Sequence, residues 1–392
     1  MSTLFRASLV LSILIAGAAA QMREIPNPAA AGSGQSYLTK GPDGRIYLSW
    51  TEPFKTGHRL QYAVREGDKW RPLGQVADGA NWFVNWADYP TFLALADGSF
   101  AAHWLEMYAK SKYSYGIRLA RRDKAGAVWK VLFSPKAPAE EEQYYGFVSM
   151  MPLGEGMGAS YLAPGKGAEE EAKSLRFARF DKEGKLLGDD LLDPEVCTCC
   201  QTSAVMTADG PLVAYRDHEP GEIRDIALVS FRGGKWSAPR SLHRDGWKIN
   251  ACPVNGPSLV AEGKRVAAAW YTGANDSPRV YAAVSKDSGA TFTQAARLDE
   301  GKGMGRVATI LLADGTAVAS WLERTPSGGA EIRIRRMDES GKLGPARVVA
   351  STDAGRKTGF PKMVAAGENL LLTWTGDRIR TVEVAIPPMN GK

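Results

Sequence analysis

The sequence predicts an all-β chain folded as a seven-bladed β-propeller of four-stranded antiparallel blades. Three observations carry this. A strand–turn–strand pattern recurs along the chain and ends each time in an aromatic ring, at Trp50, Trp104, Tyr161, Tyr215, Trp270, Trp321 and Trp374. These rings are spaced 54, 57, 54, 55, 51 and 53 residues apart, the regularity of a repeat array. Each copy but the last is followed by two further alternating runs, such as RVYAAVS and TFTQAARL after Trp270. Four short strands per ~50 residues, joined by Gly-containing turns and lacking any long helical period, is the grammar of propeller blades.

Residues 1–20 read as a signal peptide: Arg6 supplies the positive start, Ala7 to Ala20 is apolar or small, and Ala18-Ala19-Ala20 precedes Gln21. The run is shorter than the roughly 20 apolar residues of a membrane span, so a periplasmic or secreted protein is expected. Residues 21–392 then form a single propeller domain. The copies open, in order, at Gln35, Tyr89, Gly146, Cys200, Asn255, Arg306 and Gly359. The terminal ring of each second strand wedges between neighbouring sheets, where its large apolar area is buried. The seventh copy has only three strands, ending in RIRTVEVAI. An open sheet edge invites aggregation, so residues around Met22 to Pro26 are expected to supply its fourth strand.

Composition is that of an ordinary soluble protein, 44% hydrophobic and 23% charged, with a net charge of +6. Lys and Arg are scattered and interrupted by Glu140–Glu142 and Glu169–Glu171. No basic stripe of the kind that tracks a nucleic-acid backbone is visible.

The fifth copy carries Ser285-Lys286-Asp287-Ser288-Gly289-Ala290-Thr291-Phe292, which resembles the Asp-box, S-x-D-x-G-x-T-[WF], of sialidases and related propellers. Asp123–Gly126 and Asp338–Gly341 look like worn copies. Physically this is a turn motif: Asp and Ser bond nearby amides and Gly takes a positive φ. The resemblance implies a sialidase-like fold. The family's activity needs three arginines, a Tyr–Glu pair and an Asp acid, and no F-R-I-P-like strand carries the first arginine here.

Propeller geometry places the starts of the inner strands and the ends of the second strands around one mouth of the channel. Two residues beyond each ring lie Glu52, Glu106, Ala163, Asp217, Thr272, Glu323 and Gly376. Candidate ligand-binding residues on this rim are Trp86, Tyr89, Tyr145, Gln201, Arg216, His218, Trp247, Asn255 and Arg306. Flat rings beside polar groups suit a glycan or another small molecule. Glycoside hydrolysis would need two carboxyls, and Asp88, Glu106 and Asp217 are the candidates. His58 and His103 are read as structural.

All four cysteines lie at the same mouth, Cys197, Cys199 and Cys200 before the fourth blade and Cys252 before the fifth. Three readings stand: one or two disulfides in an oxidising compartment, a thiolate site for Cu or Zn, or a redox pair such as Cys197 with Cys200. The expected function is an exported propeller that binds a small-molecule or glycan ligand at a cysteine-rimmed channel mouth. The alternatives are a glycoside hydrolase, a metal or redox protein, and a scaffold for a protein partner.

Overall fold

The computed structural model describes residues 22–108, 113–123, 128–136, 143–165 and 172–390. The expected signal peptide lies outside them. The chain forms seven antiparallel sheets, six built from consecutive strands and the seventh from the last three strands together with the first. The innermost strands are Gly34–Lys40, Phe92–Ala94, Gly146–Leu153, Ser203–Thr207, Ser258–Glu262, Lys302–Leu311 and Lys362–Ala366. In the fourth blade the outermost strand is split into Lys235–Trp236 and Arg240–His243, both paired to Ile226–Arg232. No helix is long and apolar enough to cross a membrane among the described residues.

The ring closes as expected. Arg23–Glu24 pairs antiparallel to Ile379–Ala385 and completes the seventh blade, with Arg23 opposite Glu383. Ile25 follows and is 1% exposed, so the closing segment is anchored by apolar burial as well as by ladder bonds. Arg23 also bonds Asp68 of the first blade and Glu383 of the seventh, tying the two sides of the seam.

Between blades, small residues let sheets approach and large rings fill the wedge. Ala267, Ala268 and Ala269 lead into Trp270, and all four are fully buried. Ala268 and Trp270 pack with Leu212, Ala214 and Leu228 of the preceding blade. All seven terminal rings are buried, as their recurrence predicts. The Ser285–Phe292 turn has the bonding the motif implies. Asp287 accepts from the Thr291 amide at 2.8 Å, Ser285 Oγ accepts from the Gly289 amide at 2.9 Å, and Gly289 sits at φ +78.

Four of the predicted copy starts fall short of the strands they announce. Tyr89, Cys200, Asn255 and Gly359 stand three residues before Phe92, Ser203, Ser258 and Lys362. In other blades the entry is bulged: pairing slips between Gly34 and Tyr37, Gly146 and Ser149, and Gly305 and Ala308. The left-handed residues Gln35, Phe147, Val254 and Arg306 occupy these entries. The chain turns sharply there to pass from blade rim to channel wall, which places backbone strain around the mouth.

Candidate functional site

The channel wall shows what each blade contributes. In the fourth position of every repeat stand Leu38, Phe92, Ser149, Ser203, Ser258, Thr309 and Lys362. Three of these hydroxyls stitch blades together: Ser149, Ser203 and Ser258 accept from the amides of Ala204, Leu259 and Thr309 at 3.0, 2.9 and 3.0 Å. They line a cavity of about 190 Å³. Lys362 is the cation of that position and enters the cavity from the seventh blade. Its Nζ donates to Tyr89 Oη at 2.5 Å and lies 4.3 Å from the Tyr89 ring centre. Burial lowers its pKa to about 7.

Asp88 faces the same cavity but is already engaged. It is 2% exposed and accepts from the Phe147 amide at 2.8 Å and from Tyr115 Oη at 3.2 Å. Burial pushes its pKa up to about 7, against the pull of those two donors. It bridges the second and third blades and is the one member of the expected catalytic trio on the channel wall.

The other carboxyls have a structural task that recurs around the ring. Trp50, Trp104 and Trp321 each donate their indole N–H at 2.8 Å to the glutamate two residues on, Glu52, Glu106 and Glu323. An arginine of the next strand approaches the same carboxylate: Arg59, Arg118 and Arg333. Tyr161 and Tyr215 find Asp189 and Asp193 instead, at 2.8 and 2.6 Å, and Trp270 finds Asp245 at 2.9 Å. Glu106 is therefore the partner of Trp104 and Arg118. Asp217, pushed up to about 7 first by burial and then by Asp193, accepts from the His218 amide at 2.8 Å. Neither lines the channel cavity with Asp88.

A larger cavity, about 440 Å³, opens at the mouth beside blades five to seven. Lys302, Arg306, Arg324 and Arg356 line it, and no Asp or Glu does. None of these four cations forms an ion pair among the described residues. Lys302 and Arg324 are brought face to face by strand pairing. Arg306 is 7% exposed, and burial lowers its pKa to about 10. Its guanidinium donates to the Gly355 and Gly359 carbonyls at 2.9 and 3.3 Å and rests 4.7 Å from the Trp86 ring. Trp86 in turn stacks on Phe360 at 5.8 Å. Asn255 fixes the local backbone by accepting from the Arg306 amide at 2.8 Å. Gly305, at φ +76, permits this, because a Cβ there would stand 2.2 Å from Asn255 Oδ1. Cys252 is on the cavity edge.

Trp86, Asn255, Arg306 and Cys252, all candidates from the sequence, line this one cavity. Other candidates serve the frame. Gln201 spans from the Ala87 carbonyl at 2.7 Å to the Gly256 amide at 2.9 Å. Arg216, 1% exposed, donates to the carbonyls of Arg224, Asn255 and Tyr271 and lies over Trp247 at 4.8 Å. Tyr145 packs on Tyr161, with ring centres 6.5 Å apart. His218 sits between Glu195 and Glu222, at 3.6 and 3.3 Å. Of the two histidines read as structural, His103 is fully buried on Thr91. Sequence reasoning missed Lys362, Lys302, Arg324 and Arg356. Alignment of the repeats singles out Lys362, whereas the other three come from separate segments with no shared pattern.

The CTCC segment turns between Val196 and Ser203 and gathers its thiols. Sγ atoms of Cys197, Cys199 and Cys200 all lie within 4.8 Å of one another. Cys197 is 3.5 Å from Cys200 and 4.0 Å from Cys199. Cys252 reaches in from the next blade, 3.6 Å from Thr198 Oγ1. No two of the four sulfurs stand at the bonded distance of about 2.05 Å, and the shortest separation given, 3.5 Å, is between Cys197 and Cys200.

No family model and no curated protein matches this chain. Solved structures do. A protein of unknown function from Dyadobacter fermentans is 16% identical with a TM-score of 0.52, over 93% of this chain and 98% of that one. A polysaccharide lyase is 8% identical with a TM-score of 0.49, over 92% and 91%. A Hadza microbial sialidase is 13% identical with a TM-score of 0.44, over 74% and 63%. At such identities the likeness is one of fold.

Proposed function

We propose that this chain is an exported propeller that binds a carboxylate-bearing ligand, an acidic sugar or glycan, in the mouth cavity. One observation carries the reading: four cations that form no ion pair among the described residues line a single concave site, with Asp353 the one carboxylate whose charge acts on Arg306. Arg306 is buried, while Lys302, Arg324 and Arg356 reach the cavity from its exposed side, and like charges held this close repel unless an anion offsets them. Arg306 is held by two carbonyls, a ring and a strained backbone, the mark of a pre-organised group. A cavity of about 440 Å³ suits a small ligand, and Trp86 and Tyr271 supply aromatic wall. Export rests on Arg6 and the apolar run through Ala20. Since no carboxyl lines this cavity, the proposal is one of binding.

Calorimetric titration with oligogalacturonate and the neutral oligogalactose of equal length tests it. The acidic oligomer is expected to bind, more weakly as salt rises, and the neutral one not. Each charge-assisted hydrogen bond contributes about 1.5–3 kcal/mol, so Arg306→Gln should cost about 10- to 100-fold in affinity. Arg356→Gln, at an exposed position, gives a second reading without disturbing the frame. Equal binding of both oligomers, or no binding of acidic mono- and oligosaccharides, refutes the assignment.

A further inference from the structure

The thiols at the mouth are not used by the ligand cavity, except that Cys252 stands on its edge. We propose that Cys197, Cys199 and Cys200 form a thiolate site for one soft metal ion, Cu(I) or Zn(II), with Cys252 as the donor at its exposed side.

The argument is geometric. Metal–sulfur bonds of about 2.3 Å place thiolates about 3.8 Å apart in a tetrahedral site and about 4.0 Å apart in a trigonal one. Two of the sulfur separations, 3.5 and 4.0 Å, lie close to those edges, and the third is within 4.8 Å. Three sulfurs facing one point, with no carboxylate or imidazole in the cluster, form a soft donor set, which selects Cu(I) or Zn(II) over Mg, Ca or Mn. The surroundings suit anionic sulfur. Arg224 points Nη1 at Cys197 Sγ from 3.8 Å, and the Asn255 amide donates to Cys200 Sγ at 3.4 Å. Such supporting donors orient and charge-balance metal-bound ligands. His218, a candidate ligand in the sequence, lies beyond Arg224, whose Nη2 is 3.4 Å from His218 Nε2, and belongs to that support.

Position explains why four cysteines cluster where the repeat demands none. Two successive blade connections run side by side at the mouth, the first carrying three thiols and the second Cys252. An ion bound there joins the fourth and fifth blades next to the ligand cavity.

The test uses the full mature chain, reduced and kept anaerobic. It is titrated with Cu(I) in competition with bicinchoninate, and separately with Co(II) as a visible stand-in for Zn(II). The expected result is uptake of one equivalent, with a sulfur-to-cobalt charge-transfer band in the Co(II) arm. Replacing Cys199, which is partly exposed, by Ser should weaken binding by more than the ~10- to 100-fold that loss of a supporting partner costs. If Cys252→Ser removes the cobalt band but spares Cu(I) affinity, the ion is three-coordinate Cu(I). If both fall, it is a four-thiolate Zn(II) site. No uptake of either ion by protein with four titratable thiols and an intact β circular dichroism spectrum overturns the proposal. So does uptake unchanged in Cys199→Ser and Cys200→Ser.

Discussion

Asp88 offers the sharpest test of the electrostatics at the channel wall. Its carboxyl is 2% exposed and burial pushes its pKa from 3.8 up to about 7. The folded chain therefore holds this proton more tightly than the unfolded chain does. Burial carries no charge penalty below about pH 3.8, and stability falls as pH rises from there through about 7. The full displacement corresponds to about 4 kcal/mol. Between about pH 5 and about pH 8 the part lost is about 2–3 kcal/mol. Asp88→Asn removes the ionisation while keeping an acceptor for the Phe147 amide, and Tyr115 Oη can turn to accept from the new amide. Urea midpoints of wild type and variant, measured across that pH range, should diverge steadily, with the variant gaining relative stability as pH rises. Asp217 and Lys362 are present in both proteins, so their titrations cancel in the comparison. Parallel curves would show that Asp88 is ionised in the folded chain at low pH, and the reasoning from its burial would fail.

Other perturbations address the frame. Trp321→Phe leaves the buried Glu323 carboxylate short of a donor and should cost about 1–3 kcal/mol in chemical denaturation. Trp374→Phe should cost less, since its indole donates to no carboxylate among the described residues. Ile25→Ala, emptying the anchor of the closing strand, should cost about 2–5 kcal/mol and promote aggregation on light scattering. Lys362 is held below its ordinary range by burial, so the penalty for charging it grows as pH falls from about 10.5 through about 7. Lys362→Met should accordingly stabilise the chain more at acidic than at alkaline pH, read from the same urea midpoints.

The fold was legible because a propeller writes its period into the chain. Seven buried rings at near-constant spacing need no tertiary information to be seen, and a seventh copy lacking a strand implies its own completion. The mouth was legible only in part. Counting along each repeat found Arg306, Asn255 and Cys252, since position within a blade fixes which end of the sheet a residue occupies. The same counting picked out Glu106 and Asp217 without indicating their partners. A carboxylate two residues beyond a buried indole is within reach of the indole N–H, and that local bond engages Glu106 before any ligand arrives. Lys302, Arg324 and Arg356 converge through strand pairing and a blade connection, which no one-dimensional pattern displays. The chain shows no basic stripe, yet the fold assembles a basic pocket from three separate segments.

The seam at Arg23–Glu24 also bears on how the molecule comes into being. Its partner strand, Ile379–Ala385, lies some 355 residues downstream. A ribosome releases the first segment long before the strand that will receive it exists. Six blades can stack in order as they emerge, but the circle cannot lock until the last blade has been synthesised. The two ends of the sheet finish side by side, so joining them and opening the chain at another blade connection should give a permuted protein with the same ring. In such a permutant the clasp would be an ordinary hairpin, and the difference in refolding rate would measure what late closure costs.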